Sequence, residues 1–148
     1  MSLTLNQPPN FDFNAKQFVH LTKFHLGLKG APQAVQELPK ISNLFSLREL
    51  AVTAPNNYQG VNADFLTTLT NLEMLDMAQI NISLQLFTKI VHQHTILTQL
   101  RVNCSESNGE ILTRLKSLQK LFFQSKQPMQ GLKKKLEEVL SRLFDCQV

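Results

Sequence analysis

A chain of 148 residues, 43% hydrophobic and 18% charged, is long enough for one domain with a real core and is far from the composition of disordered segments. No run approaches the ~18 consecutive apolar residues of a membrane-spanning helix, and the opening MSLTLNQPPNFDFNAKQF lacks the basic and apolar regions of a signal peptide. The net charge of +4 comes from one end: residues 1–100 hold six Lys/Arg against six Asp/Glu, whereas residues 101–148 hold nine against five.

In chain order, the first predicted element is a short strand in SLTLN, where Leu3 and Leu5 alternate with polar residues. FVHLTKFHL follows, with Phe18, Leu21, Phe24 and Leu26 at intervals of three, three and two. That spacing begins like a helix and ends like a strand, and it fits neither period throughout. In APQAVQELPKI, Pro32 near the start and Pro39 near the end predict a short helix held between them. LFSLRELAV then repeats the mixed spacing with Leu44, Leu47, Leu50 and Val52, and VNADFLTTL supplies one to two helical turns. LTNLEMLDM is a third copy, with Leu69, Leu72, Leu75 and Met77. SLQLFTKIVHQ, residues 83–93, predicts a helix with Leu84, Phe87, Ile90 and Val91 on one face. HTILTQLRV is the fourth copy (His94, Leu97, Leu100, Val102), NGEILTRL another turn or two, and LKSLQKLFF the fifth copy (Leu115, Leu118, Leu121, Phe123). The last segment, PMQGLKKKLEEVLSRLF, changes to helical spacing with Leu132, Leu136, Val139, Leu140 and Leu143.

The third apolar position of each copy falls at 24, 50, 75, 100 and 121, in steps of 26, 25, 25 and 21. A period of this length is the signature of a repeat architecture. Its physics accounts for the mixed spacing. The LxL half is a strand whose two apolar side chains share a face, and the upstream leucine lies on the turn that brings the chain in from the helical side. One repeat cannot bury its own apolar edge, so stacked neighbours do it jointly, each leucine contributing ~1.5–3 kcal/mol.

Residues 18–125 therefore resemble the leucine-rich-repeat family, whose unit reads LxxLxLxx(N/C)xL. The resemblance implies an α/β solenoid with a parallel sheet on the concave face, helices on the convex face and a C-terminal capping helix. It implies one domain, 1–148, divided into a partial repeat 1–17, repeats 18–43, 44–68, 69–93, 94–114 and 115–127, and a cap 128–148. The repeat length is similar to that of the cysteine-containing class found in F-box proteins; the ribonuclease-inhibitor class, which includes innate-immune sensors, runs slightly longer. Two departures stand out. The position that usually holds Asn or Cys is occupied by Lys29, Pro55, Ile80, Ser105 and Lys126, so irregular turns are expected. Leu3 and Leu5 precede the next copy with no capping helix ahead of them, which reads as an exposed strand edge and as the C-terminal part of a longer array.

In such an array the strand residues beside the buried leucines line up across repeats as ladders. The first reads Lys23, Glu49, Met74, Gln99 and Lys120; the second His25, Ala51, Asp76, Arg101 and Phe122; the third Gly27, Thr53, Ala78, Asn103 and Gln124. From these, Lys23, His25, Glu49, Met74, Asp76, Gln99, Arg101, Lys120, Phe122 and Gln124 are the candidate partner-binding residues. Phe122 lies between Leu121 and Phe123, so alternation sends it to the open face, where aromatics and Arg mark interaction hot spots; a C-terminal loop or helix folding back over it is the other reading. Asp76 and Arg101 are expected as a surface ion pair worth at most about 1 kcal/mol, with a partner contact second.

Catalysis finds no motif: there is no Gly-rich phosphate loop, no GxSxG and no HExxH. HQH at 92–94 suits a metal poorly, because two residues along a helix send the rings to different faces, and His94 takes a core position. Cys104, expected just past a strand end, reads as a small buried side chain, and with Cys146 it forms no CxxC pair; two free thiols fit a cytoplasmic or other intracellular setting. The acceptor patterns at Asn81 and Asn103 are discounted without a signal peptide. The expectation is thus a non-catalytic protein–protein interaction module, with no cofactor, no metal, no small-molecule substrate and no membrane. The alternatives are a nucleic-acid-associated scaffold using Lys133 to Lys135, disfavoured by Glu137 and Glu138 alongside and by the lack of Trp, and a purely structural segment closing a longer array. The resemblance leaves the parent open among a ubiquitin-ligase substrate receptor, an innate-immune sensor and a secreted bacterial effector.

Overall fold

The computed structural model describes residues 1–5, 18–28, 38–54, 63–104, 109–125, 138 and 145–147. It is an α/β structure built on one parallel sheet. The strands are β1 (Ser2–Leu5), β2 (Lys23–Gly27), β3 (Glu49–Thr53), β4 (Met74–Ile82), β5 (Gln99–Cys104), β6 (Lys120–Ser125) and β7 (Asp145–Gln147). Every neighbouring pair is parallel, and the order across the sheet is the order along the chain. Parallel neighbours need a crossover that carries the chain back. Among the described residues the crossovers contain 3-10 helices at Leu38–Asn43, Asp64–Thr68 and Gly109–Arg114 and one α-helix, α1 (Leu84–Gln93).

The three-three-two spacing has a direct structural cause. Between the first and second apolar positions of each copy the chain makes a turn closed by an i+3 to i backbone bond: Leu21 N to Phe18 O, Leu47 N to Leu44 O, Leu72 N to Leu69 O, Leu97 N to His94 O and Leu118 N to Leu115 O, all 2.9–3.2 Å. The turn brings both side chains to the core side. At strand entry one carbonyl then accepts two N–H groups from the next copy. Thr22 O takes Arg48 and Glu49, Arg48 O takes Glu73 and Met74, Glu73 O takes Thr98 and Gln99, and Thr98 O takes Gln119 and Lys120. This relay fixes each strand's register on its neighbour, and the final LxL pair follows as ordinary strand alternation.

Every core position read from the spacing is buried except Phe18, which is half-buried against the same cluster. The cluster is continuous from Leu21 to Phe123, with Leu3 and Leu5 packed on its β1 end. Phe87 of α1 meets Phe123 of β6 with ring centroids 5.3 Å apart, so α1 is tied to the sheet two strands away. His94 occupies a position held by leucine in the neighbouring copies and is fully buried, its Nε2–H donating to Leu66 O at 2.9 Å.

α1 begins where Ser83 caps it: the Ser83 Oγ accepts from Leu86 N at 3.2 Å, with Ser83 itself in an extended conformation. Its buried face is Leu86, Phe87, Ile90 and Val91. Leu84, expected on that face, is only half-buried because it sits at the helix entrance, and Leu86 takes its place. The short crossover helices are 3-10. In the one at Leu38–Asn43, Pro39 is the second residue, where its missing N–H leaves no bond unmade; the rest of the helix expected between Pro32 and Pro39 lies outside the described residues.

Two features depart from the regular pattern. β4 runs on through a bulge, so that Met77 pairs with Val102 but Asn81, not Ala78, pairs with Asn103. The third ladder is therefore broken at β4. The residues in the bulge explain it: Ile80 is fully buried, and the Gln79 Oε1 accepts from Ala54 N at 3.0 Å. At the C-terminal end, Asp145–Gln147 form β7 beside β6, inside the segment expected to be wholly a cap. Glu138 is helical; the remainder of the helix expected over Leu132 to Leu143 lies outside the described residues.

Candidate functional site

One face of the sheet packs on the crossovers, and strand alternation turns the intervening residues to the other, open face. The first ladder is in register from Lys23 through Glu49, Met74 and Gln99 to Lys120. The second runs from His25 through Ala51, Asp76 and Arg101 to Phe122. Lys23, His25, Gln99, Arg101 and Lys120 are exposed, whereas Glu49, Met74, Asp76 and Phe122 are half-buried. Gln124 pairs with Asn103 through the backbone, one step further along β6, and its side chain lies outside the description.

Within these rows the structure brings some residues together and leaves others apart. Lys23 and Glu49 form an ion pair at 2.7 Å near the β2 end. Asp76 is held at both oxygens: Oδ1 accepts from Ala78 N at 3.2 Å, where the β4 bulge begins, and Oδ2 accepts from Arg101 Nη1 at 3.0 Å. The Arg101 guanidinium lies over Phe122, 5.2 Å from the ring centroid. An exposed ion pair is worth at most about 1 kcal/mol and an exposed cation–π contact ~0.5–1 kcal/mol. Their consequence is positional. A bulge fixes a carboxylate, the carboxylate fixes a guanidinium, and the guanidinium covers an aromatic ring. Phe122, for which an open aromatic and cover by a C-terminal segment were both expected, is half-buried, with Arg101 over its ring and Gln147 of β7 in register beside it.

Beside this trio lies a depression of about 360 Å³ whose walls are Met74, Asp76, Gln99, Arg101, Lys120 and Phe122, over a floor of Leu75, Leu100 and Leu121. Lys120 stands in register between Gln99 of β5 and Asp145 of β7. His25 and Lys23 lie at the far end of the sheet, away from this hollow.

A second hollow, about 440 Å³, runs along the edge where the chain enters the strands and is lined by His20, Thr22, Ser46, Arg48, Asn71, Glu73 and Ile96. Arg48 and Glu73 pair there at 3.0 Å, and Val19, Phe45 and Ile96 are exposed apolar side chains on the same entry turns. Sequence reasoning passed over this rim. The available signal was an apolar residue in the turn between the first two core positions, in FVHL, LFSL and HTIL.

The histidines do not converge. The His92 Nδ1–H donates to Thr88 O at 2.7 Å and its Nε2 accepts from Arg114, while His94 points inward to Leu66. Burial pushes the His94 pKa below its usual value of 6.5, an effect partly offset by the bond to the Leu66 carbonyl. Among the described residues no three His, Cys, Asp or Glu side chains cluster closely enough to hold a metal ion, and no helix is long and apolar enough to cross a membrane. Cys104 is the last residue of β5, not beyond the strand end.

No protein-family model matches the chain, and no curated protein matches it. The functional reading accordingly rests on the residues of the sheet face.

Proposed function

We propose that the chain is a leucine-rich-repeat solenoid, of the intracellular kind with repeats of 25 to 26 residues, whose open sheet face is the concave face and binds another protein without catalysing a reaction. Three features support the repeat reading: the recurrent spacing, the sequence-ordered parallel sheet and the strand-entry relay that recurs at each copy. The binding reading is carried by one observation, the Asp76–Arg101–Phe122 trio beside the 360 Å³ hollow. Arg and aromatic residues dominate binding energetics where they are already ordered, because little conformational freedom is then lost on association. Nothing in the reading calls for a cofactor or a small-molecule substrate.

The test is a pull-down from cell lysate with the full chain beside the Phe122→Ala/Arg101→Ala double variant, at low and moderate salt. A protein band present with the wild type at both salts and reduced at least about tenfold with the variant supports the reading, since hot-spot losses run to 2 kcal/mol or more (~30-fold). Identical lanes from two equally folded proteins sink it.

A further inference from the structure

We propose that the strand-entry rim is a second docking surface, and that its occupant is a short amphipathic helix of another protein, laid across the strands with its apolar stripe on Val19, Phe45 and Ile96. Among the described residues four large apolar side chains are exposed, Met1, Val19, Phe45 and Ile96, and all four border the 440 Å³ hollow. Ile96 lines it, and Val19 and Phe45 adjoin His20 and Ser46, which line it too. Met1 is bonded to Thr22 on its wall, the Thr22 hydroxyl donating to Met1 O at 3.1 Å. None of the four lies on the open sheet face or on α1. Single apolar residues scattered over a surface are ordinary, whereas their concentration along one edge marks an interaction site.

The backbone of the rim decides the form of the occupant. Each entry turn is closed on itself, and Thr22 O, Arg48 O and Glu73 O each accept two N–H groups from the next copy. Phe45 O accepts from Asn71 Nδ2 at 2.8 Å, which also holds the turn that presents Phe45. An extended segment that adds to a sheet draws its affinity from free main-chain groups, whereas a helix satisfies its own main chain and docks by side chains. The spacing agrees with a helix. Val19, Phe45 and Ile96 precede β2, β3 and β5, which sets them one and then two strand steps apart, ~5 and ~10 Å. Along a helix one turn rises ~5.4 Å and seven residues ~10.5 Å. The edge from Met1 to Ile96 spans four strand steps, ~19 Å, the length of some 13 helical residues.

Area and charge argue against other occupants. The four side chains, 44–64% exposed, make a patch on the order of 400 Å². A stable dimer buries ~800 Å² per partner, twice what the patch offers, while one face of a short helix is matched to it. Arg48 and Glu73, at the entries of β3 and β4, pair at 3.0 Å between the anchors Phe45 and Ile96. The middle of the rim is therefore polar and neutral, and it calls for a polar residue between two apolar ones on the helix. The entry turns carry one further Lys or Arg, Lys116, one copy beyond Ile96. An anionic membrane or a phosphate backbone needs a cluster of cations, and this rim has none.

The experiment is a phage selection against the immobilised full chain from two libraries, one randomising a single face of a monomeric three-helix scaffold and one of linear dodecapeptides. Purified winners are measured by biolayer interferometry. The helical library is expected to enrich apolar residues seven apart with a polar residue between them. Phe45→Glu or Ile96→Glu is expected to weaken those winners at least about 30-fold, the loss of a hot spot, and Phe45→Ser or Ile96→Ser less. Phe122→Ala is expected to leave them unchanged, so the fate of the open sheet face is read separately. Both anchors are exposed, and the variants are expected to unfold at the wild-type temperature. Winners from the linear library alone, helical winners indifferent to Phe45→Glu and Ile96→Glu, or no winner from either library overturn the helix. Sedimentation of the chain by itself tests the remaining occupant: a dimer dispersed by Phe45→Glu assigns the rim to a second copy and overturns the helix as well.

Discussion

His94 shows how one residue can depart from a repeat and still be buried by it. Leu44, Leu69 and Leu115 hold the equivalent place in neighbouring copies, all fully buried. The imidazole satisfies one nitrogen through Leu66 O and leaves Nδ1 buried with no partner. Desolvation, the larger cause, lowers its pKa, so the folded state keeps this ring neutral to a lower pH than the unfolded chain does. Above pH 6.5 both states are neutral and the residue adds no pH dependence. As pH falls below 6.5 the unfolded chain binds a proton that the folded one refuses, and stability drops until pH reaches the folded pKa. His94→Leu is expected to remove that part of the acid sensitivity and to raise stability at pH 7.5 by about 1 kcal/mol. A buried unpaired nitrogen costs ~1–3 kcal/mol, from which the lost bond to Leu66 is subtracted. Leu66 O keeps a partner in Leu69 N at 3.1 Å. Urea melts of both proteins at pH 5.5 and 7.5 decide it: a variant less stable at pH 7.5, or with an unchanged difference between the two pH values, means that the histidine is better accommodated than its unpaired nitrogen implies.

Among elements, α1 and β6 give the cleanest contrasts. Ser83→Ala removes the cap bond to Leu86 N and is expected to cost about 1 kcal/mol, read as a lower urea midpoint at constant slope. In β6 adjacent residues serve opposite faces. Leu121→Ala opens the core and is expected to cost ~2–5 kcal/mol, whereas Phe122→Ala is expected to change stability by less than ~1.5 kcal/mol because Phe122 faces outward and touches Arg101. Equal losses for the two would contradict the alternation on which the site was read. The strands and the first two ladders were legible because a near-constant repeat length places residues 25 or 26 apart in register, and strand alternation then fixes the face. Less legible were the details set by hydrogen-bond choice. Whether a five-residue turn is α or 3-10 is a matter of one bond, and in Asp64–Thr68 the Thr67 and Thr68 hydroxyls donate back to Asp64 O and Phe65 O. The β4 bulge follows from Ile80 seeking the core, and β7 lies in a stretch adjoining a strongly helical apolar pattern. Residue positions on the open face were therefore readable, while the chain of contacts from bulge to Asp76 to Arg101 to Phe122 was not, since it depends on a backbone irregularity and on rotamers.

At the scale of the whole molecule, each described strand is hydrogen-bonded only to its sequence neighbours, and the strand-entry relay passes from Met1 O to Thr22 O, Arg48 O, Glu73 O and Thr98 O without a return path. An arrangement of this kind has stability that sums over neighbour interfaces, so a strand with two partners outlasts a strand with one. β1 pairs only with β2, and its inward residues Leu3 and Leu5 are half-buried, whereas Leu50, Leu75 and Leu100 are fully buried. Native-state amide exchange is expected to be slowest in β3, β4 and β5 and at least ~100-fold faster in β1, because local opening spans energies from near zero up to global unfolding and ~2.7 kcal/mol separates such rates. Leu75→Ala should sharpen the test. A defect in the central strand weakens both of its interfaces, so in a repeat-wise stack protection falls most in β3, β4 and β5, while β1, already opening locally, changes little. If exchange is uniform across the strands and Leu75→Ala lowers all of them together, the molecule unfolds as one cooperative unit, and the neighbour-by-neighbour account of its stability is wrong even though its strands are stacked in sequence order.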